Sequence, residues 1–387
     1  MPDLSKLLLA AAVTGALPMV AMADVVLSSN DGHTVMNASK AMVAPAAPGA
    51  DTVTVIDVTS YPPRIKATFD APGSVVGPPG AIWISADESW GIVTSATKAD
   101  PAATATGGIA PDDRVSVFDL SSTPPHVVQS LTSGLGATQV RLSPDGALAL
   151  IANRTEGTVS VFTVKDKRLT AAGKVDTGNP KSLPSAVVFV DDRTALLTRG
   201  GDNMVNVLHI DGGSVTIDPR PITTGMGPYT MDINAAHSLV AVSNMGRGDG
   251  DEDSVSLIDV KTTPYRVVGT FGVPSGPEPM KFSPDGRYLA VGAQYGSTKP
   301  ASNPFHHDKG LVGLYAVEGQ TLRLVAQAPV GAWAEAVAFS RDGQTVLVQS
   351  MQDRTVEIFR WDGQTLTPGD TLAIEGAGPE SFATAWP

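Results

Sequence analysis

A six-residue segment of alternating, β-branched-rich character recurs seven times along the chain, and no other feature constrains the fold as tightly. It reads Val53-Thr-Val-Ile-Asp-Val58, Val115-Ser-Val-Phe-Asp-Leu120, Val159-Ser-Val-Phe-Thr-Val164 and Val205-Asn-Val-Leu-His-Ile210. It returns as Val255-Ser-Leu-Ile-Asp-Val260, Val312-Gly-Leu-Tyr-Ala-Val317 and Val356-Glu-Ile-Phe-Arg-Trp361. Successive side chains of a strand point to opposite faces, so this period-2 pattern specifies a strand rather than a helix. Successive copies start 44 to 62 residues apart.

A second motif precedes the first. Ser143-Pro-Asp-Gly146, Ser283-Pro-Asp-Gly286 and Ser340-Arg-Asp-Gly343 are tight turns. Pro presets φ, Asp bonds the backbone ahead, and Gly accepts a positive φ. Degenerate copies stand at Ser85-Ala-Asp-Glu88, Val190-Asp-Asp-Arg193 and Asn234-Ala-Ala-His237. Each turn leads into a short apolar run such as Ala147–Ala152, which fits a strand covered on both faces. The unit therefore reads strand a, turn, strand b, loop, strand c, turn, strand d.

Four short strands at this period describe a propeller blade. The expected architecture is all-β: a single seven-bladed β-propeller. Blade 1 takes 24–76 with 378–387, blade 2 takes 80–134, blade 3 takes 136–178 and blade 4 takes 183–225. Blades 5, 6 and 7 take 227–275, 276–331 and 332–376. The chain opens after Asp24 with a strand-b-like segment, Val25-Val-Leu-Ser-Ser29, and finishes with a strand-a-like one at 378–385. The ring is thus expected to close by the C-terminal strand pairing with the N-terminal blade, which limits exposed edges. An open β-solenoid or two β-sandwiches are the alternatives, and neither explains the split blade.

Residues 1–23 read as a cleavable export signal. Lys6 precedes an apolar run from Leu7 to Val20, which ends in Ala21-Met22-Ala23 before Asp24. The run is shorter than the ~20 residues of a spanning helix. The expected product is an exported, periplasmic monomer of residues 24–387 without a membrane span. The absence of Cys excludes disulfides, thiolate zinc sites, Cys nucleophiles and Cys-attached haem or lipid. A net charge of −12 excludes a nucleic-acid partner, because phosphate binding needs clustered Lys and Arg. The expected partner is a small-molecule ligand or another protein.

The cadence of Gly-Pro, apolar strand, Ser-Pro-Asp-Gly and Val-x-Val-Phe-Asp resembles the YVTN-type β-propellers and the lactonase-like seven-bladed propellers related to them. It covers essentially the whole of residues 24–387. No literal Tyr-Val-Thr-Asn occurs; Leu150-Ile-Ala-Asn153 and Val240-Ala-Val-Ser-Asn244 stand nearest. The resemblance implies the fold and, as one functional option, lactone hydrolysis or isomerisation.

In such a blade the b–c loops and d–a connections share one face. The long b–c loops, at 37–50, 97–113, 245–253 and 294–310, therefore decorate a single face. Registering the strand-a starts against their turns puts Glu278, Glu335 and Glu380 at one offset in consecutive blades. Tyr229 holds that offset in blade 5. The innermost strands line the central channel, so these carboxylates are expected near its mouth. Clustered carboxylates repel, so one retains its proton unless a cation intervenes. Such a cluster suits acid–base work, a divalent cation or a cationic ligand; a water-filled rim is the plain alternative.

His306 and His307 sit in the blade 6 loop and are candidates to act with Glu278. Trp333 stands two residues before Glu335 and is placed to wall a ligand site. In the blade 5 loop Asp249, Asp251 and Asp253 have the alternate spacing that opens calcium loops, with Arg247 beside them. The sixth and twelfth positions, Ser254 and Val260, depart from that pattern, so the choice is Ca²⁺ or a solvated acidic tip. No other cofactor is indicated.

Two functions fit. One is a non-enzymatic exported propeller that binds a ligand or protein partner on the long-loop face. The other is a lactonase-like or isomerase-like enzyme in which a channel-mouth glutamate activates water, helped by a His or a divalent cation. An anionic substrate sits awkwardly beside three charged glutamates. A scaffold subunit of an electron-transfer enzyme is a third option, with the redox group on a partner.

Overall fold

The computed structural model describes residues 24–248 and 250–386. The expected export signal at 1–23 lies outside the described residues, as do Asp249 and Pro387. Seven antiparallel sheets, each built on four strands, follow one another around a ring. In blade 1 the order from the channel outward is Gly378–Thr384, Val25–Asp31, Thr52–Asp57, Arg64–Asp70. Chain-terminal segments thus share one sheet, with Leu27 opposite Ala383 and Ser28 opposite Phe382. Blade 4 gains a short fifth strand, Ile222–Thr223, beside Met204–Asp211.

The turns show why their sequence recurs. In Ser143-Pro-Asp-Gly146 the Ser143 hydroxyl donates to Asp145 Oδ1 (2.6 Å) and accepts the Leu148 N–H (3.0 Å). Gly146 closes the turn at φ 70°. The same side-chain bond returns at Ser283–Asp285 (2.7 Å) and Ser340–Asp342 (2.6 Å). Where the motif degenerates, Glu88 and His237 take the left-handed position at φ 53° and 47°.

The hexapeptides form the third strand of every sheet. Their alternate side chains fill the space between blades: Phe118, Phe162 and Phe359 are all but inaccessible to solvent. The seam between blades 7 and 1 is packed in the same way, by Val26, Ile56, Ala338, Leu347, Val356, Ile374 and Trp386. Close packing shows at Gly91 of blade 2. A methyl there would lie 2.6 Å from the Trp83 carbonyl and press on the Phe118 ring. Gly91→Ala is expected to cost ~1–3 kcal/mol, as overpacking does; urea denaturation measures it, and an unchanged midpoint would contradict this reading of the packing.

Each innermost strand runs from the long-loop face to the turn face. The long loops fold on that first face: Val35–Met36 pairs with Met42–Val43, and Thr97–Ala99 with Ile109–Pro111. Among the described residues no helix is long and apolar enough to cross a membrane.

Candidate functional site

A cavity of about 720 Å³ opens on the long-loop face at the channel mouth. Tyr229, Arg247, Glu278 and Trp333 line it, as does the Val35–Val43 hairpin through Met36, Lys40 and Met42. Arg154, from the short loop of blade 3, lines it too. Its guanidinium donates to the Ser185 hydroxyl and lies 5.3 Å over the centre of the Tyr229 ring. Lys40 reaches across from blade 1, its Nζ donating to the Ser297 carbonyl (3.1 Å) and Gln352 Oε1 (2.9 Å).

Glu278 is the single carboxyl among these lining residues. It sits just before the innermost strand of blade 6 and is 5% exposed. Gln294 Nε2 donates to it, and Gln294 is held in turn by the Thr298 hydroxyl (2.9 Å). Burial pushes the Glu278 carboxyl up to about 7, although Gln294, Glu335, Trp333 and the Arg154 charge pull the other way. Burial and the Glu278 charge keep the facing Tyr229 hydroxyl protonated far above the ordinary phenol range.

Glu335 and Glu380 stand behind this surface. Both belong to innermost strands, Ala334–Phe339 and Gly378–Thr384, and they are 0% and 2% exposed. Burial raises both carboxyls well above the usual carboxylate range. For Glu335 the charges of Glu278 and Glu380 add to burial, and for Glu380 those of Asp31 and Asp51 do. Glu335 approaches Glu278 closely enough to couple with it, but without a well-aligned bond: both Glu335 oxygens and the Trp333 indole nitrogen are buried with no such partner. Burial and the neighbouring Glu278 charge both favour the protonated form of Glu335. Burial thus favours the neutral form of both rear glutamates, and the cavity wall carries the cationic side chains of Lys40, Arg154 and Arg247.

Trp333 is 4% exposed and packs with Val75 and Met351 as part of the cavity wall. Its backbone is left-handed, φ 62°, uncommon for a bulky residue. The conformation is fixed from both sides, because Trp333 N donates to the Ser297 hydroxyl (2.9 Å) and its carbonyl accepts from Met351 N (2.9 Å).

The other expected site residues fall elsewhere. His306 Nδ1 bonds the Lys299 carbonyl (2.8 Å) and its Nε2 faces Asp308 (3.2 Å). His307 stacks on Tyr295 at 4.0 Å. Neither histidine lines the mouth cavity. In the acidic loop Asp251 is exposed, whereas Asp253 is buried and accepts the Gly276 N–H (2.8 Å). Both border a separate surface hollow with Arg247.

One cluster escaped the sequence. Asp31, His33 and Asp51 meet in blade 1, with His33 Nδ1 3.1 Å from Asp31 and 2.8 Å from Asp51. Asp31 also accepts the N–H groups of His33, Thr34 and Val75, and Asp51 that of Gly32. His33 Nε2 lies 3.2 Å from the Thr97 hydroxyl. Burial opposes the His33 charge, but the Asp51 bond and the two carboxylates outweigh it and raise its affinity for a proton. The donors are saturated from within the chain, so the cluster reads as a tie between the terminal blade and its loops. No spacing signals it, because Asp51 lies on the far side of a long loop.

No protein-family model matches the sequence, and no curated protein matches it. Many solved structures share the fold. A candidate 6-phosphogluconolactonase from Bacteroides fragilis superposes with a TM-score of 0.69 at 15% identity, over 95% of this chain and 99% of that one. The periplasmic gluconolactonase of Pseudomonas aeruginosa gives 0.67 at 18% identity, over 93% and 99%. Hydrazine synthase from Kuenenia stuttgartiensis gives 0.57 at 19% identity, over 74% of this chain and 77% of that one. At such identities the likeness establishes the propeller, and one propeller carries unrelated chemistries.

Proposed function

We propose that the protein binds a small organic anion with an apolar portion in the long-loop mouth of its channel. The observation that carries this reading is the lining of the 720 Å³ cavity: Lys40, Arg154 and Arg247 beside the aromatic walls Tyr229 and Trp333, with Glu278 as the single carboxyl among the described residues. Sugar acids and aromatic acids have this chemistry. The export signal read at 1–23 would place the binding in the periplasm. Titration calorimetry against a panel of such acids tests it. Arg154→Met is expected to weaken the best binder about 10- to 100-fold, the worth of a hydrogen bond to a charged group. Equal affinity in wild type and variant would remove Arg154 from the site.

Hydrolysis of a lactone of such an acid is a second reading, favoured by the Glu278 carboxyl near 7 and by the two gluconolactonase-named neighbours. Ionised Glu278 would take a proton from water as the water oxygen bonds to the lactone carbonyl carbon. The oxyanion so formed would face Arg154 or Arg247. Collapse breaks the ring C–O bond, and the departing oxygen takes the proton back from Glu278. A general base near the working pH contributes ~10²–10⁴-fold. Glu278→Gln is expected to lower kcat by that factor, and wild-type turnover to rise with pH through about 7. Turnover that survives the substitution would exclude Glu278 as the base, and binding without turnover would leave the first reading alone.

A further inference from the structure

The channel has a second mouth, on the turn face, and its chemistry differs from the first. The far halves of the innermost strands enclose a cavity of about 110 Å³ there. Its walls are mostly apolar or backbone, from Ile82–Ile84, Ala336–Ala338 and Phe382–Thr384. Three charged side chains interrupt them: Arg141 of blade 3, Asp232 of blade 5 and Lys281 of blade 6.

Asp232 is fully engaged. Its Oδ1 accepts from Lys281 Nζ (3.2 Å) and its Oδ2 from the Phe282 N–H (2.7 Å). Arg141 has no ion pair among the described residues. Its Nη1 donates to the carbonyls of Val140 (2.8 Å) and Gly80 (3.1 Å), and its Nε and Nη2 have no protein acceptor among those residues. Burial weakens its hold on its proton, which the Asp232 charge only partly offsets. Arg141 is half-buried; a guanidinium presents five N–H donors in a planar fork, and a charge drawn partly out of water without a counter-ion is unfavourable. Two cations against one carboxylate leave one surplus positive charge here, in a chain whose net charge is −12.

We propose that this turn-face mouth binds a small oxyanion, carboxylate or phosphate, gripped by the free edge of the Arg141 fork with Lys281 as the second cation. The cavity is too small for a sugar ring with substituents and suits a phosphate- or acetate-sized group. The site shares no lining residue with the long-loop mouth.

Thermal melts and calorimetry in inorganic phosphate, in acetate and in chloride at matched ionic strength test the proposal. Phosphate, acetate or both should raise the wild-type midpoint above its value in chloride, and whichever does so identifies the oxyanion class. Affinity should fall at least tenfold in Arg141→Met and by less in Lys281→Met, while Arg154→Met, at the other mouth, keeps the response. If Arg141→Met does not fold, Lys281→Met decides, and an unchanged response there overturns the site. Equal wild-type midpoints in all three salts overturn it as well. So does a response that survives Arg141→Met but is lost in Arg154→Met, which would put the anion in the long-loop mouth.

Discussion

A chain cut after Ala377 is expected to lose its cooperative melt and become sensitive to limited proteolysis. The cut removes Gly378–Thr384, the innermost strand of blade 1, and exposes the hydrogen-bonding edge of Val25–Asp31. It also removes Trp386, 5% exposed, whose indole donates to the Phe339 carbonyl (3.0 Å) and whose ring carries Arg341 at 4.8 Å. Deleting one large buried aromatic alone costs ~3–5 kcal/mol, a large share of a typical folding free energy of about 5–15 kcal/mol. Circular dichroism melts and a trypsin time course measure the outcome. A truncated chain that melts within a few degrees of the full one, with equal resistance to protease, would mean that the ring does not depend on its closing strand. Supplying residues 378–387 as a separate peptide should restore part of the loss, because the seam is a strand addition.

Stability is expected to fall as pH rises from about 5 to 8. Glu278 holds its proton to about 7 in the folded chain and to its ordinary value of 4.5 when unfolded. Between those values the folded state binds more protons, so each pH increment favours unfolding. The contribution is fully present below 4.5 and lost as pH rises through 7. At ~1.4 kcal/mol per pH unit this amounts to about 3 kcal/mol. Glu335, Glu380 and Asp31, all raised by burial, act in the same direction. Surface carboxylates such as Asp87, Asp119 and Asp145 are lowered by their hydroxyl and backbone donors, so their opposite effect is confined to more acid solution. Thermal midpoints at pH 5, 6, 7 and 8 test the slope. Glu278→Gln should flatten it, and Glu335→Gln should keep the fold because an amide has the shape of the protonated acid. A midpoint that climbs over this range, or a slope indifferent to both substitutions, would refute the linkage.

The glutamates illustrate how far the sequence carries. Their common offset before the turns puts Glu278, Glu335 and Glu380 at the starts of three adjacent innermost strands. The offset did not reveal that Glu278 faces the cavity while the other two lie behind it. That difference comes from Glu278 preceding its strand, Met280–Phe282, while Glu335 and Glu380 fall inside theirs. Trp333, Tyr229 and Arg247 line the cavity, and so do Arg154 and Lys40, which carry no sequence signal because one lies in a short loop and the other in a hairpin tip. The His306–His307 pair looked apt for chemistry by type, yet its own loop uses both rings for hydrogen bonding and stacking.

Seven strand–turn units, the split first blade and the face that carries long loops are legible in the chain's local pattern. Strand alternation and turn chemistry are local, so each repeat announces its own conformation without reference to the others. The electrostatics of the two mouths arise only in the folded ring. Whether a carboxyl keeps its proton or a guanidinium finds a counter-ion depends on neighbours brought in from other blades and on the water they exclude. For Glu278 those neighbours include Arg154, 124 positions away, and for Arg141 they include Asp232, 91 positions away.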